Sequence, residues 1–160
     1  MQRKNKSSEK LIDGSKLKIA IVVAKFNADI TEKMLQGALD VLQINKVKKN
    51  NIGIVRVPGA FEIPLACQKL AESKKYDCLV AIGCVIKGDT DHYYYISNEV
   101  SRGVMDVMLK FSLPIGFGVI TVNNLKQAKD RANDKCNKGK EATEAVLDMT
   151  YAFPFKSIVR

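Results

Sequence analysis

Residues 77–108 read DCLVAIGCVIKGDTDHYYYISNEVSRGVMDVM, and this stretch decides the fold. Leu79 to Ile86 is the longest apolar run of the chain. It has the length of a strand and falls far short of the roughly 18 or more apolar residues of a membrane helix. No polar residue alternates within it, so both faces of the strand must be covered, as in a parallel sheet. The chain then turns through Lys87-Gly88-Asp89-Thr90. Beyond the turn, Ile96, Val100, Val104 and Met108 recur every four residues, the mark of a helix with one buried face. A buried strand followed at once by such a helix is the repeating unit of a parallel α/β sheet.

The same unit recurs on either side. Leu17 to Ala24 (LKIAIVVA) is a buried strand, and Ile30, Met34, Ala38, Val41 and Leu42 follow at helical spacing. Asp29 precedes Glu32 by three residues, which resembles a capping box at that helix start. Asn50-Asn51 closes the unit. Ile52 to Val57 is the second strand, and Pro58-Gly59 breaks it. A helix then runs to about Ser73 with Ile63, Leu65, Ala66, Leu70 and Ala71 inward. Pro114 precedes a fourth strand, Ile115 to Val122. Leu125, Ala128 and Ala132 form the apolar side of a short helix, and Ala142, Ala145, Val146 and Met149 mark a last one. This order, β-α-β-α-β-α-β-α-α, predicts a four-stranded parallel sheet flanked by helices on both faces. The expected organisation is a basic flexible arm at 1–16, one domain at 17–154 and a tail at 155–160.

Composition bounds the function. The 160 residues fit one domain able to bury its own core. The start, MQRKNKSSEK, lacks the apolar centre of a signal peptide, so a cytoplasmic protein is expected, with no membrane partner. The four cysteines form no CxxC pair and, with a single histidine, give no metal-ligand spacing; three fall in apolar stretches, and buried free thiols are the expected reading. The net charge of +9 invites an anionic partner, but it is spread between the arm and residues 126–140 rather than concentrated. Nucleic-acid binding is therefore not expected.

In parallel α/β sheets ligands bind at the carboxyl ends of the strands. That rule selects Lys25 to Asp29, Pro58 to Glu62, Lys87 to His92, and Asn123-Asn124. Gly88 permits close backbone approach, and Thr90 with the following helix N-terminus suits a phosphate. His92, the only histidine, falls in the first turn of that helix, where it can move protons near neutral pH or simply lie at the surface. Glu62 can accept from ligand hydroxyls or complement its own helix dipole. Phe26 can stack on a planar heterocycle or staple its own helix. Arg131 and Lys135, four apart, are expected on one helix face, as a phosphate clamp or as solvated surface. There is no P-loop, no GxGxxG and no nucleophile elbow.

Taken together, the segments AKFN (24–27), VPGAFEIP (57–64), GCVIKGDTDHYYYI (83–96), FGVIT (117–121), QAKDRA (127–132) and NKG (137–139) resemble the lumazine synthase family over roughly residues 17–150. The resemblance implies a flavodoxin-like three-layer α/β/α fold. It implies condensation of 5-amino-6-(D-ribitylamino)uracil with 3,4-dihydroxy-2-butanone 4-phosphate to 6,7-dimethyl-8-ribityllumazine, the penultimate step of riboflavin biosynthesis. Phosphate and water are released, and no metal or cofactor is used. It implies that Phe26 stacks on the pyrimidine and that Val85 and Ile86 meet it through backbone groups. Asn27, Ala60 and Glu62 would face the ribityl chain, Gly59 and Phe61 would also bind substrate, and Gly88, Asp89 and Thr90 would form the phosphate turn. His92 and Arg131 would be catalytic. Phe117, Arg131 and Lys135 would come from a neighbouring subunit of a homopentamer, itself compatible with a 60-subunit shell and with riboflavin synthase association. Asp89 and Asn123 depart from the family pattern.

Three rivals stand beside this reading: a non-catalytic flavin-binding or shell-forming relative, a monomeric binding domain, and a basic nucleic-acid binder. Intact His92, Arg131 and Lys135 argue against the first, and only the third predicts binding that collapses with salt.

Overall fold

The computed structural model describes residues 11–153. Four strands, β1 (Ile19–Ala24), β2 (Ile52–Val57), β3 (Cys78–Ile86) and β4 (Ile115–Val122), form one parallel sheet in the order β2-β1-β3-β4. The helices are α1 (Ala28–Ile44), α2 (Ile63–Glu72), α3 (His92–Phe111), α4 (Leu125–Ala132) and α5 (Lys138–Ala152). Short 3₁₀ turns cover Lys49–Asn51 and Ala60–Glu62. The predicted element order holds, and β2 and β4 have the expected bounds. No helix among the described residues is long and apolar enough to cross a membrane.

The period of two in β1 divides the core. Ile19, Ile21 and Val23 pack with α1, α4 and α5, while Ala20, Val22 and Ala24 pack with α2 and α3. Helices thus cover both faces, giving the three-layer architecture, and β1 and the body of β3 are fully buried. On α3 the inward residues are Val100, Val104 and Val107, with Ile96 and Met108 partly buried. A strict spacing of four drifts across a helix of 3.6 residues per turn, which brings Val107 ahead of Met108.

Several expectations change. Leu65 and Leu125, read as inward, are exposed (63% and 46%). Asp29 and Glu32 form no capping box. The N-cap of α1 is Asn27, and Glu32 instead pairs with Arg56 of β2 at 2.5 Å. Residues 11–16 of the expected arm are seated on the end of α1. Ile12 is buried in the α1-side core, its N–H donates to Asn45 Oδ1 at 2.8 Å, and Gly14 N–H donates to Asn45 O at 2.8 Å. Apolar Ile12 inside a polar stretch was the missed signal. Residues 1–10 and the tail at 155–160 lie outside the described residues.

Candidate active site

The carboxyl ends of β1, β2 and β3 meet at a cavity of about 390 Å³. One wall comes from the chain after β1. Asn27 has left-handed backbone (φ 58), a conformation asparagine tolerates better than most residues. Its Nδ2 donates to the Cys84 carbonyl at 2.9 Å, tying this turn to β3. Phe26 N–H donates to Pro58 O at 3.0 Å. Held from both sides, the turn leaves the Phe26 ring 71% exposed at the cavity edge. The staple reading of Phe26 is thereby excluded, since a staple would bury the ring.

The second wall is the 58–62 turn. Gly59, Ala60, Phe61 and Glu62 all line the cavity. Glu62 Oε2 accepts from Gly59 N–H at 2.8 Å, so half of the carboxylate fixes the turn and the other oxygen remains for a ligand. Val85 and Ile86, at the end of β3, form the floor. Gly88 and Thr90 line the opening, and no atom lies within 4 Å of a Cβ built on Gly88. Asp89 is exposed and is not part of the lining.

His92 opens α3 and lines the same space with Tyr93 and Ile96, one helix face. It is exposed, and its backbone N–H has a long 3.5 Å contact to Thr90 Oγ1. The cavity therefore gathers a planar ring, strand-end backbone, a glycine-threonine turn at a helix N-terminus and an imidazole. None of the described residues that line it is a lysine or an arginine. Cys84 backs it as a buried thiol, pushed up to about 11 by burial and by the Asp29 charge, so it is no nucleophile near neutral pH.

Cations line a second cavity, of about 510 Å³, along the β4 edge. Phe117 projects there from β4 and Arg131 from the last turn of α4, its Nη1 donating to Gln127 O at 3.1 Å. Lys138 completes the cation set and is held by Glu141 at 2.6 Å. Lys135, expected beside Arg131, is not in the lining. The helix ends at Ala132, so Lys135 lies in the exposed turn beyond it rather than on a shared helix face.

The sequence reading missed Lys138 and the residue that mounts it. Asn137 caps α5, its Oδ1 accepting from Gly139 N–H at 2.9 Å and Lys140 N–H at 3.2 Å. Its Nδ2 donates to Lys33 O of α1 at 2.9 Å and to Ala132 O of α4 at 3.3 Å. One buried side chain thus joins three helices. An asparagine followed two residues later by glycine and four later by glutamate was readable as a helix start.

The family model described as 6,7-dimethyl-8-ribityllumazine synthase matches residues 16–153. The chain belongs to the lumazine synthase family. A relative of that name from Desulfovibrio desulfuricans is 46% identical over 138 residues, covering 86% of this chain and 88% of its own length. Another of the same name, from Nitratidesulfovibrio vulgaris, is 46% identical over 144 residues, covering 89% and 92%. The matched span includes both cavities and begins where the chain approaches β1. Within this lumazine synthase scaffold Phe26, Gly88, Thr90 and His92 share one space, whereas Phe117 and Arg131 share another.

Proposed function

We infer that the protein condenses 5-amino-6-(D-ribitylamino)uracil with 3,4-dihydroxy-2-butanone 4-phosphate to 6,7-dimethyl-8-ribityllumazine, releasing phosphate and water. The observation that carries this reading is the single cavity uniting Phe26, the Gly88–Thr90 turn and His92, in a chain of this family. The Phe26 ring stacks on the pyrimidine, and the backbone of Val85 and Ile86 reads its polar edge. Glu62 accepts from ribityl hydroxyls with its remaining oxygen. Asn27 serves the site indirectly, because its amide already holds Cys84 O.

The phosphate of the second substrate binds the N–H groups of the Gly88–Thr90 turn at the start of α3. Asp89 directs its carboxylate to solvent and contributes its backbone only. His92 moves protons as the uracil amine attacks the ketone, as water leaves to give the imine and as phosphate departs. Such acid–base help is worth about 10²–10⁴-fold. Holding two reactive substrates in register supplies a further large share of the rate.

Phosphate loss builds negative charge, and cations aimed at that charge lower the barrier. The His92 cavity has none, while the β4-edge cavity has Arg131 and Lys138 without an imidazole. A neighbouring subunit that sets its β4 edge against the His92 cavity completes the site. This contact is head-to-tail and closes as a ring, here a pentamer, which also permits a shell. His92 and Arg131 are both present, so the non-catalytic reading has no feature in its favour. Mixing purified protein with the two substrates tests the proposal. Lumazine absorbance should rise in step with phosphate release, and absence of both would sink it.

A further inference from the structure

The amino ends of the strands, opposite the reaction cavity, carry a different chemistry. A cleft of about 680 Å³ lies between three segments there: the approach to β1, the 3₁₀ turn before β2 and the turn before β3. Lys16 and Lys18 line one side, Lys74 and Lys75 another, and Asn50 and Asn51 the third. The floor is Tyr76, whose hydroxyl lies over Gly53; a Cβ on Gly53 would come within 2.5 Å of Tyr76 Oη. Lys46, Lys48 and Lys49, all exposed, precede Asn50 on the chain leading from α1.

Charge compensation accounts for only part of this cluster. α1, α2 and α3 end at this side of the sheet, each contributing about half a negative charge. Two carboxylates also belong here. Asp13 accepts from Ser15 and feels the charges of Lys46 and Lys16, and Asp77 Oδ2 accepts from Lys18 N–H at 2.8 Å. Of the residues that line the cleft, four are lysines and one, Asp77, is a carboxylate, so the lining itself carries an excess of three positive charges, which the nearby helix ends reduce only in part. Lys46 and Lys74 moreover hold left-handed backbone (φ 62 and 56), closing α1 and α2 at the position glycine usually fills.

We propose that this cleft is a second anion site, separate from the reaction cavity, that binds a linear oligophosphate: a chain of two or more phosphoryl groups. The cations converge from different walls of a concavity, which suits a compact polyanion rather than a flat surface. The four cations that line it are all lysines, which bind phosphate as point charges. Asn50 and Asn51 add neutral donors along the third wall.

Calorimetry on the full chain at fixed ionic strength tests this, with inorganic tripolyphosphate, ATP and a 20-nucleotide single-stranded DNA as probes. Tripolyphosphate should bind the wild type and Arg131→Ala alike. It should bind the triple variant Lys16→Gln, Lys74→Gln, Lys75→Gln at least tenfold more weakly, while lumazine formation by that variant is unchanged. The corresponding Lys→Arg triple should retain binding within about threefold, since each charge is kept. Equal affinity for ATP identifies the phosphoryl chain as the determinant, and tighter ATP binding identifies a nucleotide; either supports the site. Tripolyphosphate should also protect Lys74 and Lys75 of the wild type from acetylation by acetic anhydride. Undiminished binding by the Gln triple, loss of binding in Arg131→Ala, absence of protection, or stronger binding of the DNA than of tripolyphosphate would overturn the proposal.

Discussion

The two cavities beside β3 and β4 divide the chemistry between them. The one at the strand ends is walled by Phe26, Phe61, Val85 and Ile96 and holds the only imidazole. The one at the β4 edge holds a guanidinium, an ammonium and a carboxylate around Phe117. The first can recognise a heterocycle and move a proton but cannot neutralise a leaving dianion. The second can do only the reverse. The chain carries the two halves on different surfaces, and under the proposed reaction neither half suffices alone.

The largest expected effect comes from the strand-end half. His92→Ala should reduce turnover by about 10²–10⁴-fold, the usual value of one general acid–base group, while leaving measurable activity from proximity. Full wild-type turnover at neutral pH would remove His92 from the mechanism. Arg131→Ala should follow, at about 10²–10³-fold, the scale for losing one group aimed at developing charge. Its loss should fall on the butanone phosphate, with binding of a ribityl-pyrimidine analogue little changed in calorimetry. The opposite pattern would refute the division of the two cavities.

Mixing then probes whether the halves meet between chains. One parent carries Phe26→Ala with His92→Ala, the other Arg131→Ala with Lys138→Ala. Reassembled after mild dissociation, rings containing both should regain activity that neither parent has. No recovery in verified mixed rings would show that each site is built within one chain.

A smaller effect separates two lysines. Lys138→Ala should cost roughly tenfold in kcat/KM for the phosphate substrate, because one charge-assisted partner is lost. Lys135→Ala should change it by about twofold at most, as exposed substitutions usually do. The reverse ranking, in steady-state assays, would move the second cation from α5 to the preceding turn.

The least effect is on stability, on the α2 side beneath the first cavity. Burial pushes the Cys67 thiol from 9.0 up to about 12. Its contribution is whole below pH 9, where the unfolded thiol is also neutral, and is lost as pH rises toward 12. The melting temperature of wild type should fall more steeply from pH 8 to 10.5 than that of Cys67→Ala, whatever their absolute values. Parallel slopes would mean that the thiol ionises alike folded and unfolded.

Much of this was legible in the sequence because burial on both faces leaves unbroken apolar runs. That holds for Ile19–Ala24 and Cys78–Ile86, whereas Ile52–Val57 and Ile115–Val122, which are partly exposed, could be read with their true bounds because Pro58 follows the one and Pro114 precedes the other. The strand-end rule then nominated Phe26, the 58–62 turn, the 87–90 turn and His92 without any coordinates. What escaped depends on where a helix stops. Arg131 and Lys135 share a face only if the helix continues, and Asn133 ends it with its side chain accepting from Lys135 N–H at 2.9 Å and Cys136 N–H at 3.1 Å. Lys138 was hidden for the same reason, since its direction follows from Asn137 tying three distant segments. Asn27 carries a structural role the sequence did not show: its Nδ2 holds a carbonyl 57 positions away.

Gly116 and Gly118 alternate with Phe117 along β4. A Cβ on Gly116 would lie 2.3 Å from the Ala142 carbonyl oxygen, and one on Gly118 would lie 2.9 Å from Ala81 O and 3.3 Å from Ala142 Cβ. The backbone of α5 therefore rests on the strand with no side chain between them as a cushion. Phe117 on the strand and Lys138 and Glu141 on the helix are therefore mounted on two backbones in direct contact, so a larger residue at 116 would push the helix away and carry Lys138 and Glu141 with it.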